Sequence, residues 1–261
     1  MSGEQKIAIR VRDLEVSYDD NRVLQNINFD VHEGEILVIL GESGCGKSTL
    51  LRHMLMLRSP QGGSVHYGDI DLCQASENEL DEIRRDFGVL FQSGALFKSL
   101  TLGDNVAMPA VEFTNLSKDT IEELVHLKLE MVGLGGMQEL MPSQLSGGMQ
   151  KRGGLARAMV LDPKVLFFDE PSAGLDPVTS ASLDHLIITL NETLGITMVV
   201  VTHELESIHA IAHHAIMLGK NHPGILAEGT PNELQNSDIP RVRAFFNRER
   251  YDENHGVLSG N

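Results

Sequence analysis

G-E-S-G-C-G-K-S, residues 41–48, decides the fold, because it matches the pattern G-x-x-x-x-G-K-[ST] without a gap. The apolar run E-I-L-V-I-L at 35–40 precedes it and predicts a buried strand, and a helix is predicted to follow from Lys47 to about Leu57. In this setting the glycines let backbone N–H groups curl around a phosphate, and the helix N-terminus adds a favourable dipole. A structural glycine turn is the alternative, but the Lys-Ser pair and the flanking elements favour a loop that binds nucleotide phosphates.

This loop predicts ATP and Mg²⁺ as ligands. Lys47 is expected to reach the β- and γ-phosphates, and the hydroxyl of Ser48 is expected to ligate Mg²⁺. The residues predicted to bind the nucleotide here are Gly41, Glu42, Ser43, Gly44, Cys45, Gly46, Lys47, Ser48 and Thr49.

An acidic motif ends the apolar run V-L-F-F-D at 165–169, which predicts a buried parallel strand. Ligand sites of open α/β sheets lie at the carboxyl ends of such strands. Asp169 is the expected partner of Mg²⁺, and Glu170 beside it can orient or deprotonate an attacking water. Acidic strand ends are common, so this motif gains its weight from sharing a chain with the phosphate loop.

The composition bounds the class of protein. A chain of 261 residues, 41% of them hydrophobic, suits one large α/β domain or a domain with a small insertion. A net charge of −16 disfavours nucleic acid as a partner. Cys45 and Cys73 favour reduced thiols over a disulfide framework. The polar N-terminus does not resemble a signal peptide, and apolar runs such as 196–201 are too short to span a bilayer, so another chain is expected to cross any membrane.

The character of the chain changes along its length. Residues 7–38 predict a β-rich part, Gly62-Gly63 predicts a turn, and the polar stretch 249–261 predicts a tail. In the stretch 93–145, Ser117 is a predicted N-cap, and apolar residues at helical spacing follow it. These apolar residues are Ile121, Leu124, Val125, Leu129 and Val132. The predicted division is an α/β core at 1–92 and 146–236, an inserted helical subdomain at 93–145, and a C-terminal helix and tail at 237–261.

Three further motifs narrow the class. Gln92 follows a short apolar run, L-S-G-G-M-Q at 145–150 opens a predicted helix, and His203 ends the predicted strand M-V-V-V-T-H. Each has an ordinary alternative: a surface glutamine, a helix cap and a loop histidine. The order in the chain is phosphate loop, Gln92, L-S-G-G, Asp169-Glu170 and His203, and a chance run of all five is very improbable.

With these motifs the chain resembles the nucleotide-binding subunits of ABC ATPases over about residues 7–235. The resemblance implies a P-loop α/β fold with an N-terminal antiparallel β part and an inserted helical subdomain. It also implies a homodimer in which the L-S-G-G residues of one protomer contact the γ-phosphate of ATP held by the other. These residues are Ser146, Gly147 and Gly148.

The resemblance assigns the remaining roles residue by residue. Asp176, in S-A-G-L-D, would lie at the dimer interface, and Tyr18 would stack on adenine unless it packs in the core. The fifth signature residue departs from the usual Gln, because Met149 stands there and Gln150 follows. The expected catalytic residues are Glu170, His203, Gln92 and Lys47, and the expected Mg²⁺ ligands are Ser48, Gln92 and Asp169.

Three stretches carry a closer resemblance, to the ATPase subunit of Mla-type phospholipid transporters. They are L-F-Q-S-G-A-L-F at 90–97, D-N-V-A-M-P at 104–109 and M-P-S-Q-L-S-G-G-M-Q-K-R at 141–152. This resemblance implies a peripheral position on the cytoplasmic face of a bacterial inner membrane, a permease docked at the helical subdomain and an MCE-type lipid carrier. Two alternatives stay open: an importer ATPase for amino acids or other small solutes, and a soluble ABC ATPase outside transport.

The C-terminal part offers one more prediction. D-I-P-R-V-R-A-F-F-N-R at 238–248 predicts a short helix with Pro240 in its first turn and Val242, Phe245 and Phe246 close together on one face. The Mla-type resemblance implies that this segment reaches the partner protomer, and the alternative is that it packs on its own domain.

Overall fold

A computed structural model describes residues 6–19, 21–220, 222–252 and 256–258. Within these residues, no helix is long and apolar enough to cross a membrane. The chain divides into two compact units. The first unit comprises residues 1–75 and 201–261, and the second comprises residues 76–200.

Among its described residues, the first unit contains three groups of strands, the third of them a short ribbon near the C-terminus. An antiparallel sheet has the order β2-β1-β4-β5, with β1 at Ile7–Tyr18, β2 at Asn21–His32, β4 at Gly62–Tyr67 and β5 at Ile70–Asp71. In the second group β3 (Ile36–Gly41) runs parallel to β9 (His214–Leu218), and β10 (Ile225–Gly229) runs antiparallel to β9. Every residue of β3 is buried. The helices of this unit are α1 (Lys47–Met54), α7 (Leu205–Ile211), α8 (Pro231–Gln235) and α9 (Pro240–Phe246).

The second unit is mainly helical. Its helices are α2 (Glu77–Arg85), α3 (Leu102–Phe113), α4 (Lys118–Met131), α5 (Gly147–Met159) and α6 (Pro177–Leu194), with a short 3-10 helix at Pro142–Gln144. Strand β6 (Phe87–Leu90) pairs in parallel with β7 (Val165–Asp169). Strand β8 (Thr197–Val201) lies at the C-terminal end of the unit, and its last residue already belongs to the first unit. Since β6 and β7 are parallel, the residues that follow them emerge at the same edge.

Several local predictions are confirmed. The strands predicted at 35–40 and 165–169 are β3 and β7, and residues 165–168 are fully buried. Ser117 caps α4 by accepting a hydrogen bond from the Thr120 N–H at 3.2 Å. Among the apolar residues predicted to follow it, Leu124 is half-buried, and the buried ones are Ile121, Val125, Leu129 and Val132.

The predicted turn at Gly62-Gly63 is wrong, because these residues begin β4. Gly63 has a φ of +83°, and a Cβ there would lie 2.4 Å from the carbonyl oxygen of Asp13. Glycine therefore serves the close approach of β4 to an irregularity in β1, where the pairing register shifts between Arg12 and Glu15. The glycine pair therefore marks a contact with a strand irregularity, and such contacts favour glycine just as turns do.

Two predicted boundaries also change. The helix expected to reach about Leu57 ends at Met54, and Met56 lies in the left-handed region at φ +49°, where a helix cannot continue. The predicted tail at 249–261 contains a two-stranded antiparallel ribbon of β11 (Arg250–Asp252) and β12 (Gly256–Leu258). Positions 253–255 and 259–261 of that tail lie outside the described residues.

The C-terminal helix α9 buries its apolar face within its own chain. Val242, Ala244 and Phe246 are at most 5% exposed, and the rings of Phe246 and His209 meet edge to face with centroids 5.7 Å apart. This packing corresponds to the alternative in which the helix docks on its own domain. Contact of the C-terminal segment with a partner protomer stays a prediction.

Phe246→Ala is expected to lower the free energy of unfolding by about 3 to 5 kcal/mol, because it removes a buried ring and leaves a cavity. Urea unfolding followed by circular dichroism measures this change. Leu127→Ala is the control, since Leu127 is 53% exposed and should change stability by less than about 0.5 kcal/mol. Equal effects of the two substitutions would contradict the burial of α9.

Candidate functional site

The loop at 41–48 joins the buried strand β3 to helix α1 within the first unit. Its three glycines, Gly41, Gly44 and Gly46, all have positive φ values, between +83° and +144°. At Gly41 a Cβ would lie 2.5 Å from the carbonyl oxygen of Leu218 on β9, so only glycine fits. The backbone thus turns tightly at the carboxyl end of β3 and delivers the chain to the start of a helix.

Lys47 opens helix α1 and is 7% exposed. Its Nζ donates hydrogen bonds to the carbonyl oxygens of Gly41 at 2.8 Å and Glu42 at 3.3 Å. The N-cap residue Gly46 offers no side-chain acceptor to the first N–H groups of the helix. A buried ammonium and the N-terminus of a helix beside a glycine loop form a cradle for an anion such as a phosphate.

The other loop residues surround this cradle. Cys45 is buried, and burial raises the pKa of its thiol. Ser48 and Thr49 are half-buried on the first turn of α1, whereas Ser43 and Gly44 are exposed. The loop therefore combines a fixed inner part with an open outer part.

Glu42 of the loop has a partner that the sequence did not suggest. Nη2 of Arg241, on α9, lies 3.3 Å from its Oε2, and the Arg241 side chain is 12% exposed. The two residues are 199 positions apart. No local pattern signals such a contact.

Tyr18 is half-buried at the end of β1, so it is not a core aromatic. The guanidinium of Arg58 lies 5.4 Å from the centroid of its ring, a cation–π arrangement. Arg58 was not predicted to be near Tyr18. The ring is partly open to solvent, which favours the stacking interpretation over the core alternative.

His203 lies two residues after the end of β8 and is exposed, within the part of the chain assigned to the first unit. The turn that carries it is fixed by the buried Thr202, whose N–H donates to the carbonyl oxygen of Ile39 at 3.2 Å. The hydroxyl of Thr202 accepts a hydrogen bond from the N–H of Glu204 at 3.1 Å. The backbone on both sides of His203 is therefore held by hydrogen bonds.

In the second unit, the structure brings Gln92 and the pair Asp169-Glu170 to the same edge of the β6–β7 pair. Leu90 is opposite Phe168, so Gln92, two residues past the end of β6, and the acidic pair, which begins with the last residue of β7, lie at the same end of the strand pair. Gln92 is exposed, and both carboxylates are half-buried. Glu170 has a φ of +50°, in the left-handed region that is uncommon for residues other than glycine.

Lys151 joins these two segments, and sequence reasoning missed it. The side chain is 6% exposed, and its Nζ donates to the carbonyl oxygens of Gln92 and, at 3.4 Å, of Glu170. Only its position three residues after Gly148 of the L-S-G-G motif could have drawn attention to it.

The L-S-G-G residues lie at the start of α5. Ser146 is its N-cap and accepts a hydrogen bond from the N–H of Met149 at 3.3 Å. Ser146 and Gly147 are exposed, whereas Gly148 is buried. The Gln150 side chain donates to the carbonyl oxygens of Pro142 at 3.0 Å and Leu145 at 3.1 Å. Gln150 therefore braces the turn before the motif and does not take the place that Met149 leaves.

Asp176 caps α6. Its carboxylate accepts hydrogen bonds from the Thr179 hydroxyl at 2.6 Å and from the N–H groups of Val178 and Thr179 at 3.1 Å each. The hydroxyl of Thr179, together with these N–H groups, holds the pKa of Asp176 below its ordinary value. An interface role for the exposed Asp176 stays a prediction.

Comparison with known proteins fixes the class. The family described as ABC transporter matches residues 24–173, more than half of the chain. The chain belongs to the ABC transporter family. It is accordingly an ATP-binding subunit of the ATPase class, as the motif order predicts.

Individual relatives of this ABC transporter chain extend the match. The "Intermembrane phospholipid transport system ATP-binding protein MlaF" of Haemophilus influenzae is 42% identical over 92% of this chain and 90% of its own length. The "Probable ribonucleotide transport ATP-binding protein mkl" of Mycobacterium leprae is also 42% identical, over 94% of this chain and 70% of its own length. The solved structure of MJ0796, a dimeric ATP-binding cassette bound to ADP and Pi, has a TM-score of 0.78 and 31% identity, covering 85% of this chain and 98% of MJ0796. The α/β ABC ATPase fold predicted from the sequence is confirmed.

Proposed function

We propose that this chain is the ATPase subunit of a phospholipid transporter of the Mla type. The observation that carries the proposal is the 42% identity to MlaF of H. influenzae over nearly the whole of both chains. The relative from M. leprae, named for ribonucleotide transport, has the same identity, so identity alone does not separate the two cargoes. The resemblance of 90–97, 104–109 and 141–152 to Mla-type ATPases favours phospholipid over amino acids, other small solutes or a role outside transport.

The first half of the proposed reaction site is the phosphate loop. We propose that the ammonium of Lys47 moves from the carbonyl oxygens of Gly41 and Glu42 onto the β- and γ-phosphates when ATP binds, while the loop N–H groups hold the phosphate chain. Tyr18 would stack on the adenine ring. The guanidinium of Arg58, which forms the cation–π contact with the Tyr18 ring, would lie beside it.

The proposed Mg²⁺ ligands are the hydroxyl of Ser48 and the side chains of Gln92 and Asp169. Among the described residues, no group of three or more His, Cys, Asp or Glu side chains could hold a metal by itself. This donor set suits Mg²⁺, which proteins bind through one or two carboxylates together with substrate phosphates. The ion supplies charge neutralisation for the phosphoryl group when it is bound.

Hydrolysis needs a positioned water. We propose that the carboxylate of Glu170 accepts a proton from the water while the water oxygen bonds to the γ-phosphorus and the bond from that phosphorus to ADP breaks, with ADP as the leaving group. His203 is proposed to hold the water and the γ-phosphate in line. Glu170 is carried on a left-handed turn, which sets the direction of its side chain. Backbone strain of this kind is frequent at functional sites.

The second half of the site is proposed to come from another copy of the chain. Ser146 and Gly147 are exposed at the N-terminus of α5, so they are free to face a γ-phosphate held elsewhere. MJ0796 is a dimer with ADP and Pi bound, which supports a dimeric arrangement. Two copies would then enclose two ATP molecules, with Asp176 at their interface.

The proposed membrane partner is a permease that docks at residues 93–145. Helices α3 and α4 border a groove of about 690 Å³. Five apolar residues line it: Ala107, Val111, Leu116, Ile121 and Val125. Val111 is 62% exposed, and an apolar surface of this kind suits an amphipathic helix from another chain.

The proposal includes a division of the chain into a core at 1–92 and 146–236, an inserted subdomain at 93–145 and a C-terminal segment at 237–261. It also includes a location at the inner membrane and an MCE-type lipid carrier.

Purification of the tagged chain in mild detergent from the cells that encode it tests the cargo. We expect co-purification of a multi-spanning membrane protein and a lipid-binding protein, with phospholipid identified by mass spectrometry. A complex that carries nucleotides as cargo, or one without any membrane protein, would overturn the phospholipid assignment.

The same purification with Val111→Asp tests the docking site, and an unchanged protein composition of the complex would count against docking at the α3–α4 groove.

A further inference from the structure

Lys151 places a positive charge between the two segments that carry the proposed reaction residues. It stands on α5, and its Nζ donates to the carbonyl oxygens of Gln92, after β6, and Glu170, after β7. Gln92 and Glu170 are 59 and 19 positions away in sequence. One ammonium therefore forms hydrogen bonds with the backbones of two loops that are distant from each other in sequence.

Keeping this ammonium buried is costly for the folded state. Burial lowers the pKa of Lys151, and the charges of Glu170 and Asp169 oppose that effect. A methionine of similar length could fill the same space without desolvating a charge. The hydrogen bonds from this ammonium to the two carbonyl oxygens are the feature that an apolar side chain could not supply.

The rest of α5 holds the same loop. Arg157 donates to the carbonyl oxygens of Ala95 at 2.7 Å and Gly94 at 3.2 Å. The segment 92–95 is thus gripped at two points by one helix. On the other side, the carbonyl oxygen of Glu170 also accepts a hydrogen bond from the N–H of Ala173 at 3.2 Å, which closes the left-handed turn.

We propose that Lys151 is a positioning residue for ATP hydrolysis. Its ammonium fixes the backbone of Gln92 relative to that of Glu170, so that the side chain proposed to ligate Mg²⁺ and the carboxylate proposed to accept the proton of water keep one geometry. The inference rests on the roles proposed above for Gln92 and Glu170. It predicts an effect on the chemical step and little effect on ATP binding, because the phosphate loop lies on other elements.

Lys151→Met is expected to lower kcat at least tenfold and to change the Kd for ATP less than threefold. Lys151→Arg retains a buried cation with several donors and should recover at least a third of the wild-type kcat. Steady-state hydrolysis and calorimetric titration of ATP, on full-length protein with Mg²⁺, measure these values. The Mg²⁺ concentration for half-maximal activity should also rise in Lys151→Met, a readout that a purely structural role would not move.

Lys128→Met is the matched control. Lys128 is a second buried lysine of the same unit, 4% exposed, and its Nζ lies 2.5 Å from Oδ1 of Asp162, away from the motifs. We expect its loss to lower the melting temperature and to leave kcat of the folded protein within twofold. If Lys151→Met does not fold, Lys151→Gln, which keeps a polar donor of shorter reach, takes its place with the same expected split.

The outcomes distinguish a failure of the positioning role of Lys151 from a failure of the proposed reaction site. A kcat within twofold of wild type in Lys151→Met, an equal loss of kcat and ATP affinity, or a Lys151→Arg protein as inactive as Lys151→Met would each overturn the positioning role. Normal turnover of Glu170→Gln in the same assay would instead overturn the proposed site. An inactive Glu170→Gln beside an active Lys151→Met defeats the Lys151 inference alone.

Discussion

Glu170→Gln is expected to reduce ATP hydrolysis by about a hundredfold or more, because the amide cannot accept the proton of the attacking water. The substitution keeps the size of the side chain, and the turn at 170 is held by backbone groups, so the fold should persist. ATP binding should stay intact, since the phosphate loop is built from β3 and α1. Steady-state phosphate release and calorimetric titration of ATP measure the two quantities.

The same variant should also trap the closed dimer. If hydrolysis opens the two copies, a chain that binds ATP and cannot cleave it stays closed, and size-exclusion chromatography with ATP and Mg²⁺ should show a dimer that wild-type protein shows only transiently. Glu192→Gln is the control, because Glu192 is an exposed carboxylate on α6. Normal turnover in Glu170→Gln, or an ATP-bound monomer, would contradict the assignment.

The phosphate loop could be predicted because its determinants are local. Gly41, Gly46 and Lys47 act within eight positions of one another, and an apolar strand and a helix flank them. The strand at 165–169 is equally predictable, since fully buried parallel strands are continuous apolar runs. Ser117 was identified as a cap because capping depends on the next three residues.

What the sequence did not reveal depends on distant contacts. Lys151 reaches Gln92 across 59 positions and Arg241 reaches Glu42 across 199. Apart from the L-S-G-G motif that precedes Lys151, nothing in their immediate neighbours distinguishes them from surface cations. The pair Gly62-Gly63 predicts a turn, because close strand approach requires the same backbone freedom of glycine that a turn requires. Long-range packing, rather than local propensity, decides all three cases.

The Met149 departure illustrates how a motif tolerates change. The N-cap hydrogen bond of Ser146 uses the backbone N–H of Met149, which any residue other than proline supplies. The neighbouring Gln150 is committed to the carbonyl oxygens of Pro142 and Leu145. The start of α5 is therefore fixed without a glutamine at position 149, and the proposed phosphate contacts depend on Ser146 and the two glycines.

Lys47→Ala is expected to weaken ATP binding by about thirtyfold to a hundredfold, which corresponds to about 2 to 3 kcal/mol for the loss of a charge-assisted contact. The loss should fall on affinity, unlike that of Glu170→Gln, because Lys47 is proposed to contact the phosphates of bound ATP. Calorimetric titration with a non-hydrolysed ATP analogue and Mg²⁺ measures it.

Lys6→Ala is the control for net charge, since Lys6 lies in the same unit but is 77% exposed in a surface ion pair with Glu33. Its affinity should equal that of wild type. Lys47→Ala also removes the donor to the carbonyl oxygens of Gly41 and Glu42, so a melting curve without nucleotide must accompany the titration. If affinity is lost with little change in melting temperature, the ammonium binds phosphate; if melting temperature falls and the affinity of the folded protein is unchanged, Lys47 serves only to brace the loop.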